Sequence, residues 1–253
     1  MSELKHLKFK EESEDIKPRV AKYWTGRAES FFEKRQHELD SPKSHKWLSE
    51  IKKKIGAEKP LKILDVGCGA GYFIVLLGLE GYDVTGIDLT EAMIDRARKL
   101  IDMNGPYNCD LKALVMDAEN LDFPDESFDV IITRNLTWTL PHPIQAYSEW
   151  YHVLKKGGIL LNFDAEYAKG AHNLKNQDSL AHKDISDEMK EECHKIYHML
   201  TISTLDRPQW DVEVLSQIGF ESVDVDCGFG DRIYDVKDEF YIPDRMFMIS
   251  ARK

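Results

Sequence analysis

One segment limits the folds open to this chain more than any other: Ile63-Leu64-Asp65-Val66-Gly67-Cys68-Gly69-Ala70-Gly71. A short apolar run stops at three alternating glycines, and the apolar pattern that follows through Leu79 reads as a helix. Glycine adopts backbone conformations closed to other residues and lets a ligand approach the main chain closely. The dinucleotide fingerprint would place its third glycine at position 72, where this chain has Tyr72. A phosphate loop would require Gly-Lys-Ser/Thr, which is absent. Asp65, two residues before the first glycine, suits an ammonium group better than a phosphate. It also suits a structural role, bonding the amides of its own loop.

Further strand and helix patterns alternate after this turn. Asp83 to Asp88 reads as a second strand, with Thr90 capping a helix through Met93, Ile94, Ala97, Leu100 and Ile101. Leu111 to Met116 and Phe128 to Thr133 read as the third and fourth strands. Ile144, Tyr147, Tyr151 and Leu154 mark a helix ending at Lys155-Lys156-Gly157-Gly158, and Ile159 to Phe163 is the fifth strand. Such alternation predicts an α/β fold with a parallel sheet covered on both faces. Before it, Val20, Tyr23, Trp24, Ala28, Phe31 and Phe32 predict one helix, and Trp47, Leu48, Ile51 and Ile55 a second, stopped by Gly56. The stretch ahead of Pro18 reads as weakly ordered.

After Asp164 the alternation breaks. The polar stretch 165–205 holds one helical pattern, Met189, Cys193, Ile196 and Leu200. The regular pattern then resumes with a helix near Pro208 to Ile218, a strand from Glu221 to Asp226, and a last apolar run from Met246 to Ala251. The expected organisation is an N-terminal helical extension over 1–60, a core over 61–164 and 206–253, and an inserted cap or lid over 165–205.

Composition narrows the function classes. In 253 residues, 34 Lys and Arg against 45 Asp and Glu give a net charge of −11, which disfavours nucleic acid as a partner. The charged N-terminus reads as no secretory signal, and the longest apolar stretch, Ala70 to Leu79, is too short to span a membrane. Cys68, Cys109, Cys193 and Cys227 form no C-x-x-C pair, so the expectation is a cytoplasmic protein without disulfides or structural zinc. His194 and His198 stand four apart on the predicted cap helix, but the pattern lacks the glutamate of H-E-x-x-H, so no metal is expected.

The run Leu64-Asp65-Val66-Gly67-Cys68-Gly69-Ala70-Gly71 resembles motif I of the class I S-adenosylmethionine-dependent methyltransferases. The resemblance continues in order through Phe163. Arg134-Asn135 and Val153 to Gly158 are similar to the small-molecule, ubiquinone-biosynthesis-like branch, and Tyr23-Trp24-x-x-Arg27-Ala28 to a capping helix often found there. It implies a doubly wound, mostly parallel seven-stranded Rossmann-like sheet. It implies S-adenosylmethionine as cofactor, with S-adenosylhomocysteine as product and a small-molecule acceptor. Cofactor contacts are then expected from Tyr23, Asp65, Gly67, Gly69, Gly71, Asp88, Leu89, Asp117, Ala118 and Asn135, with Asp88 on the ribose and Asp117-Ala118 at the adenine.

The residues leave other readings open. The glycines also suit a plain strand-to-helix turn, Asp88 a helix cap, and Asp117 a solvated strand end. Trp138 reads equally as acceptor-pocket wall or core. The competing functions are a nicotinamide-dependent oxidoreductase and a non-catalytic cofactor-binding regulator. Should the acceptor need deprotonation, the candidates are Tyr23, Asp164, His142 and His172; no catalytic residue is assigned.

Overall fold

The computed structural model describes residues 16–56, 60–106, 108–167 and 185–253. Helix α1 (Ile16–Leu39) turns Val20, Tyr23, Arg27, Ala28 and Phe32 inward, the spacing of one helix face. It opens at Ile16, ahead of Pro18; the rest of the stretch expected to be weakly ordered lies outside the described residues. In α2 (Pro42–Ile55), the Ser41 side chain accepts from Lys43 N at the start, Pro42 fills the first turn, and Gly56 closes the end at φ +76°. Trp47 of α2 is fully buried against Phe73, Phe163 and Phe229.

The chain then alternates: β1 (Lys62–Val66), α3 (Tyr72–Gly78), β2 (Asp83–Asp88), α4 (Glu91–Asn104), β3 (Leu111–Val115), β4 (Phe128–Arg134), α5 (Pro143–Val153) and β5 (Leu154–Ala165). Further along the chain come α6 (Asp187–Met199), α7 (Gln209–Ile218), β6 (Ser222–Asp226), α8 (Phe229–Ile233) and β7 (Met246–Arg252). Among the described residues these strands form one seven-stranded sheet, ordered β3-β2-β1-β4-β5-β7-β6. All pairs are parallel except β5 with β7 and β6 with β7.

Successive strand residues serve opposite faces, so the sheet carries two cores. Leu64, Ile131 and Leu160 pack with Tyr147, Trp150 and Val214 on one side. Ile63, Ile132 and Leu161 pack with Trp47, Phe73 and Phe229 on the other. This is why the strands read as continuous apolar runs.

Two local expectations change. The run Lys155 to Gly158 does not end α5: the helix stops at Val153, and the run lies within β5, where the register against β4 shifts between Phe128 and Val130. Thr90 occupies the N-cap position of α4, yet its side chain makes no cap bond; its hydroxyl donates to Asp88 Oδ1 at 2.9 Å. Helix α6 lies against α1, where Arg19 pairs with Glu192 at 2.5 Å and Met189 faces Gly26.

Candidate functional site

A cavity of 1510 Å³ opens where β1, β2, β3 and β4 end, with α1 and α6 forming its opposite wall. Ligands of open α/β sheets sit outside the carboxyl ends of the strands, at the point where the strand order reverses. Here that point lies between β1 and β4.

The glycine turn forms the floor. Gly67 at φ +69° and Gly69 at φ +51° both line the cavity. At Gly67 a Cβ would lie 2.8 Å from Leu136 Cδ1, so the absent side chain lets Leu136 pack directly onto the turn. Gly71, at φ +89°, does not line it; a Cβ there would meet Ala97 Cα at 3.0 Å, and the position serves the packing of α3 on α4. Tyr72, where a dinucleotide site would carry glycine, is buried and presents its ring to the same cavity.

Carboxylates converge above this floor. Asp65 of β1 is 2% exposed, and its Oδ2 is buried without a hydrogen-bond partner. It therefore does not use that oxygen to brace the amides of its own loop. Burial, and then the nearby Asp88 charge, push its carboxyl up to about 8, against the pull of Arg134. Asp88 ends β2; its Oδ2 accepts from Gly69 N at 3.1 Å and its Oδ1 from Thr90 N at 2.9 Å. Burial raises its pKa, and these bonds oppose the rise. Leu89 follows, exposed at the rim.

At the end of β3, Asp117 accepts from Glu119 N and pairs with Lys17 of α1 at 2.7 Å, so its side chain is held and does not simply end a strand in solvent. Lys17 also pairs with the buried Glu119 at 2.5 Å, which ties the start of α1 to this corner. Ala118 lines the cavity, and its carbonyl accepts from Trp150 Nε1. Beyond β4, Asn135 sits at φ +56° with its amide bonded to Phe163 O, while its Oδ1 accepts from Tyr167 at 2.7 Å. Tyr23 reaches the cavity from α1. The structure thus brings Tyr23, Asp65, Gly67, Gly69, Asp88, Leu89, Asp117, Ala118 and Asn135 around one space, with Gly71 behind the wall.

The candidate bases fare differently. Asp164 is fully buried, accepts from Trp138 N at 3.0 Å and Arg207 at 2.9 Å, and does not line the cavity. His142 is held by Glu119 at 3.0 Å and also stands outside it. His172 falls outside the described residues. Burial pushes the Tyr23 phenol far above its usual range, so it is a hydrogen-bond donor here and a poor base. Trp138 answers to both of its readings: it is mostly buried, and it lines the cavity stacked on Tyr197 at 4.6 Å.

Other residues of the site escaped pattern reading. Glu38, fully buried near the end of α1, receives two bonds from Arg134, at 3.1 and 2.9 Å, and pairs with Arg35. Arg134 also donates to Tyr234 at 2.8 Å. A cation closing an apolar strand was a visible signal for Arg134; nothing local marked Glu38 or Tyr234. His194 and His198 place their Nε2 atoms 3.0 Å apart on α6; among the described residues no cluster of three metal-ligating side chains occurs.

Comparison with known proteins agrees with this architecture. Residues 64–162 match the family described as "Methyltransferase domain". Phosphatidylethanolamine N-methyltransferase of Cereibacter sphaeroides is 39% identical over 98 residues, covering 38% of this chain and 47% of that protein. Demethylmenaquinone methyltransferase of Listeria welshimeri is 33% identical over 135 residues, 51% of this chain and 56% of the relative. The chain spans about half the length of these curated relatives. The structure of Haemonchus contortus phosphoethanolamine N-methyltransferase 2 in complex with S-adenosyl-L-methionine matches with a TM-score of 0.57 at 19% identity, over 81% of this chain and 51% of that one. Sheet order and matching domain together define a Rossmann-like methyltransferase fold. Residues 64–162 therefore carry a methyltransferase domain, similar to that of the S-adenosylmethionine-dependent enzymes.

Proposed function

We propose that this protein transfers a methyl group from S-adenosylmethionine to a small organic acceptor. The observation that carries this reading is the pairing of a glycine floor with two enclosed carboxyl groups. Asp65 Oδ2 has no partner of its own, and the neighbouring Asp88 is fixed to the backbone of Gly69. A cofactor with an ammonium group at one end and a ribose further along complements both. Asp65 would take the ammonium, Asp88 the ribose hydroxyls, and Asp117 with Ala118 the adenine edge. Gly67 and Gly69 would let it lie against the main chain, with Tyr23, Leu89 and Asn135 completing the walls.

The cofactor supplies a methyl group already activated by its sulfonium. What remains for the chain is alignment and exclusion of water, and orientation of this kind supplies roughly 7–11 kcal/mol in favourable cases. The enclosing α1 and α6 and the aromatic wall of Trp24, Trp138 and Tyr197 suit that task. A net charge of −11 supports a small acceptor over a nucleic acid. Four free thiols support a reducing, cytoplasmic setting. Among the described residues no helix is long and apolar enough to cross a membrane. We take 165–205 as the cap that covers the acceptor and 1–60 as an extension that closes the cofactor side.

A thermal-shift screen tests the reading. S-adenosylhomocysteine at about 100 times its dissociation constant should stabilise the fold by roughly 2.7 kcal/mol, and NADH should not. Stabilisation by NADH alone would favour the oxidoreductase. Cofactor binding without methyl transfer to any compound of a metabolite extract, followed by mass spectrometry, would favour the regulator.

A further inference from the structure

The fold handles its buried guanidinium groups in a consistent way, with one exception. Arg134 is neutralised by Glu38, and Arg207 by Asp164 and Asp211. Arg27 is as deeply placed, at 4% exposure, yet its Nε has no hydrogen-bond partner, and among the described residues no carboxylate pairs with it. Leaving an ion unpaired out of water is costly, and chains tolerate it where a ligand supplies the counter-charge. Arg27 lines the cavity, so that counter-charge has a route in.

Its position says which ligand. The groups that act on Arg27 are Tyr23 and Cys193, from α1 and α6, one helical turn along α1 from the Phe31 ring that lies over Gly69. The arginine acting on Asp65, at the expected ammonium end of the cofactor, is Arg134. Around Arg27 the Cys193 thiol is hydrogen-bonded to the hydroxyls of Tyr23 and Tyr197, and Tyr197 stacks on Trp138. A planar cation beside phenol donors, with an aromatic wall adjoining, fits an oxyanion carried on an apolar body.

We propose that Arg27 is a specificity-determining residue that holds a carboxylate or phosphate group of the methyl acceptor. This rests on the methyl-transfer reading of the cavity. The acceptor would therefore be an organic acid or phosphoester, with its anion clamped at α1 and its reactive atom turned toward the glycine floor.

The test uses the full chain saturated with S-adenosylhomocysteine, into which phenylacetate, phenyl phosphate and the neutral phenylacetamide are titrated by calorimetry. At least one anion should bind about tenfold or more tightly than the amide, the range expected for hydrogen bonds to a charged group. Arg27→Met should abolish that preference, leave S-adenosylhomocysteine affinity within about twofold of wild type, and raise the ligand-free melting temperature by removing the unpaired charge. Arg27→Lys, which keeps charge but loses the fork, should retain part of the preference and covers the case of a Met variant that does not fold. Equal binding of anions and amide, or a preference that survives in Arg27→Met, overturns the proposal. So does a tenfold loss of S-adenosylhomocysteine affinity in Arg27→Met, which would assign the guanidinium to the cofactor's own carboxylate. If the wild-type chain does not bind S-adenosylhomocysteine at all, the methyl-transfer reading itself fails, an outcome separate from these.

Discussion

Asp65 and Asp88, on the adjacent parallel strands β1 and β2, titrate as neighbours: the charge of Asp88 adds to burial in driving the Asp65 carboxyl up to about 8. Asp88 is anchored by Gly69 N and Thr90 and stays put, whereas the Oδ2 of Asp65 is unpartnered. Near neutral pH the ligand-free site therefore holds a proton on Asp65. An arriving ammonium group favours the ionised form and displaces that proton.

Binding of S-adenosylhomocysteine at pH 7 should accordingly release a proton, and calorimetry in buffers of different ionisation enthalpy will count it. Release should approach one proton near pH 7 and shrink as pH rises past about 8, where Asp65 is already ionised. The same raised pKa makes the ligand-free fold less stable as pH climbs from about 4 toward 8, because only the folded chain holds the extra proton across that window. Asp65→Asn should flatten this contribution and eliminate the proton release. Release undiminished in Asp65→Asn would place the titrating group elsewhere.

The floor and the carboxylates were legible in the sequence because each is a local pattern. A strand running into Gly67 and Gly69, and a second strand ending on Asp88, are contiguous signals that the fold preserves. The pairing of Glu38 with Arg134 joins residues 96 positions apart and left no periodic trace. Asp164 read as a candidate base because its place at a strand end was visible; the Arg207 that occupies it, 43 positions on, was not. Lys155 to Gly158 carried a helix-stop signature, yet pairing with β4 draws Leu154 into the strand. Helix α8 has five residues, too few for a 3.6-residue period to show.

Gly67→Ala should destabilise the fold by about 1–2 kcal/mol, the usual cost of a left-handed conformation for a residue with a Cβ. Part of any further loss comes from Leu136, whose Cδ1 lies 2.8 Å from the new methyl position. Adding Leu136→Ala removes the contact but not the backbone strain. Denaturant titration of the single and double variants separates the two; a double variant as stable as Leu136→Ala alone would show that φ at Gly67 carries no strain.

Arg207→Met should lower stability by about 3–5 kcal/mol, since it strands Asp164 and Asp211 as buried carboxylates without a cation. For a chain of this size that corresponds to roughly 10 °C in melting temperature. Trp138 N also rests on Asp164, so the aromatic wall should loosen, visible as faster hydrogen exchange near Trp138. A melting temperature within about 2 °C of wild type would mean the two acids are protonated and the arginine dispensable.

Calorimetric titration of S-adenosylhomocysteine into folded wild type, Asp88→Ala and Asp88→Asn tests the central claim most directly. Asp88 binds Gly69 N with one oxygen, and that oxygen retains capacity for a ribose hydroxyl. Alanine should cost about 3 kcal/mol of affinity, around a hundredfold, through loss of the ribose contact and release of the glycine turn. Asparagine, one oxygen of which becomes an NH2 donor, cannot accept from both Gly69 N and Thr90 and should bind more weakly than wild type. Wild-type affinity in the folded alanine variant, with only a lowered melting temperature, would contradict the account and reduce Asp88 to a brace for the loop.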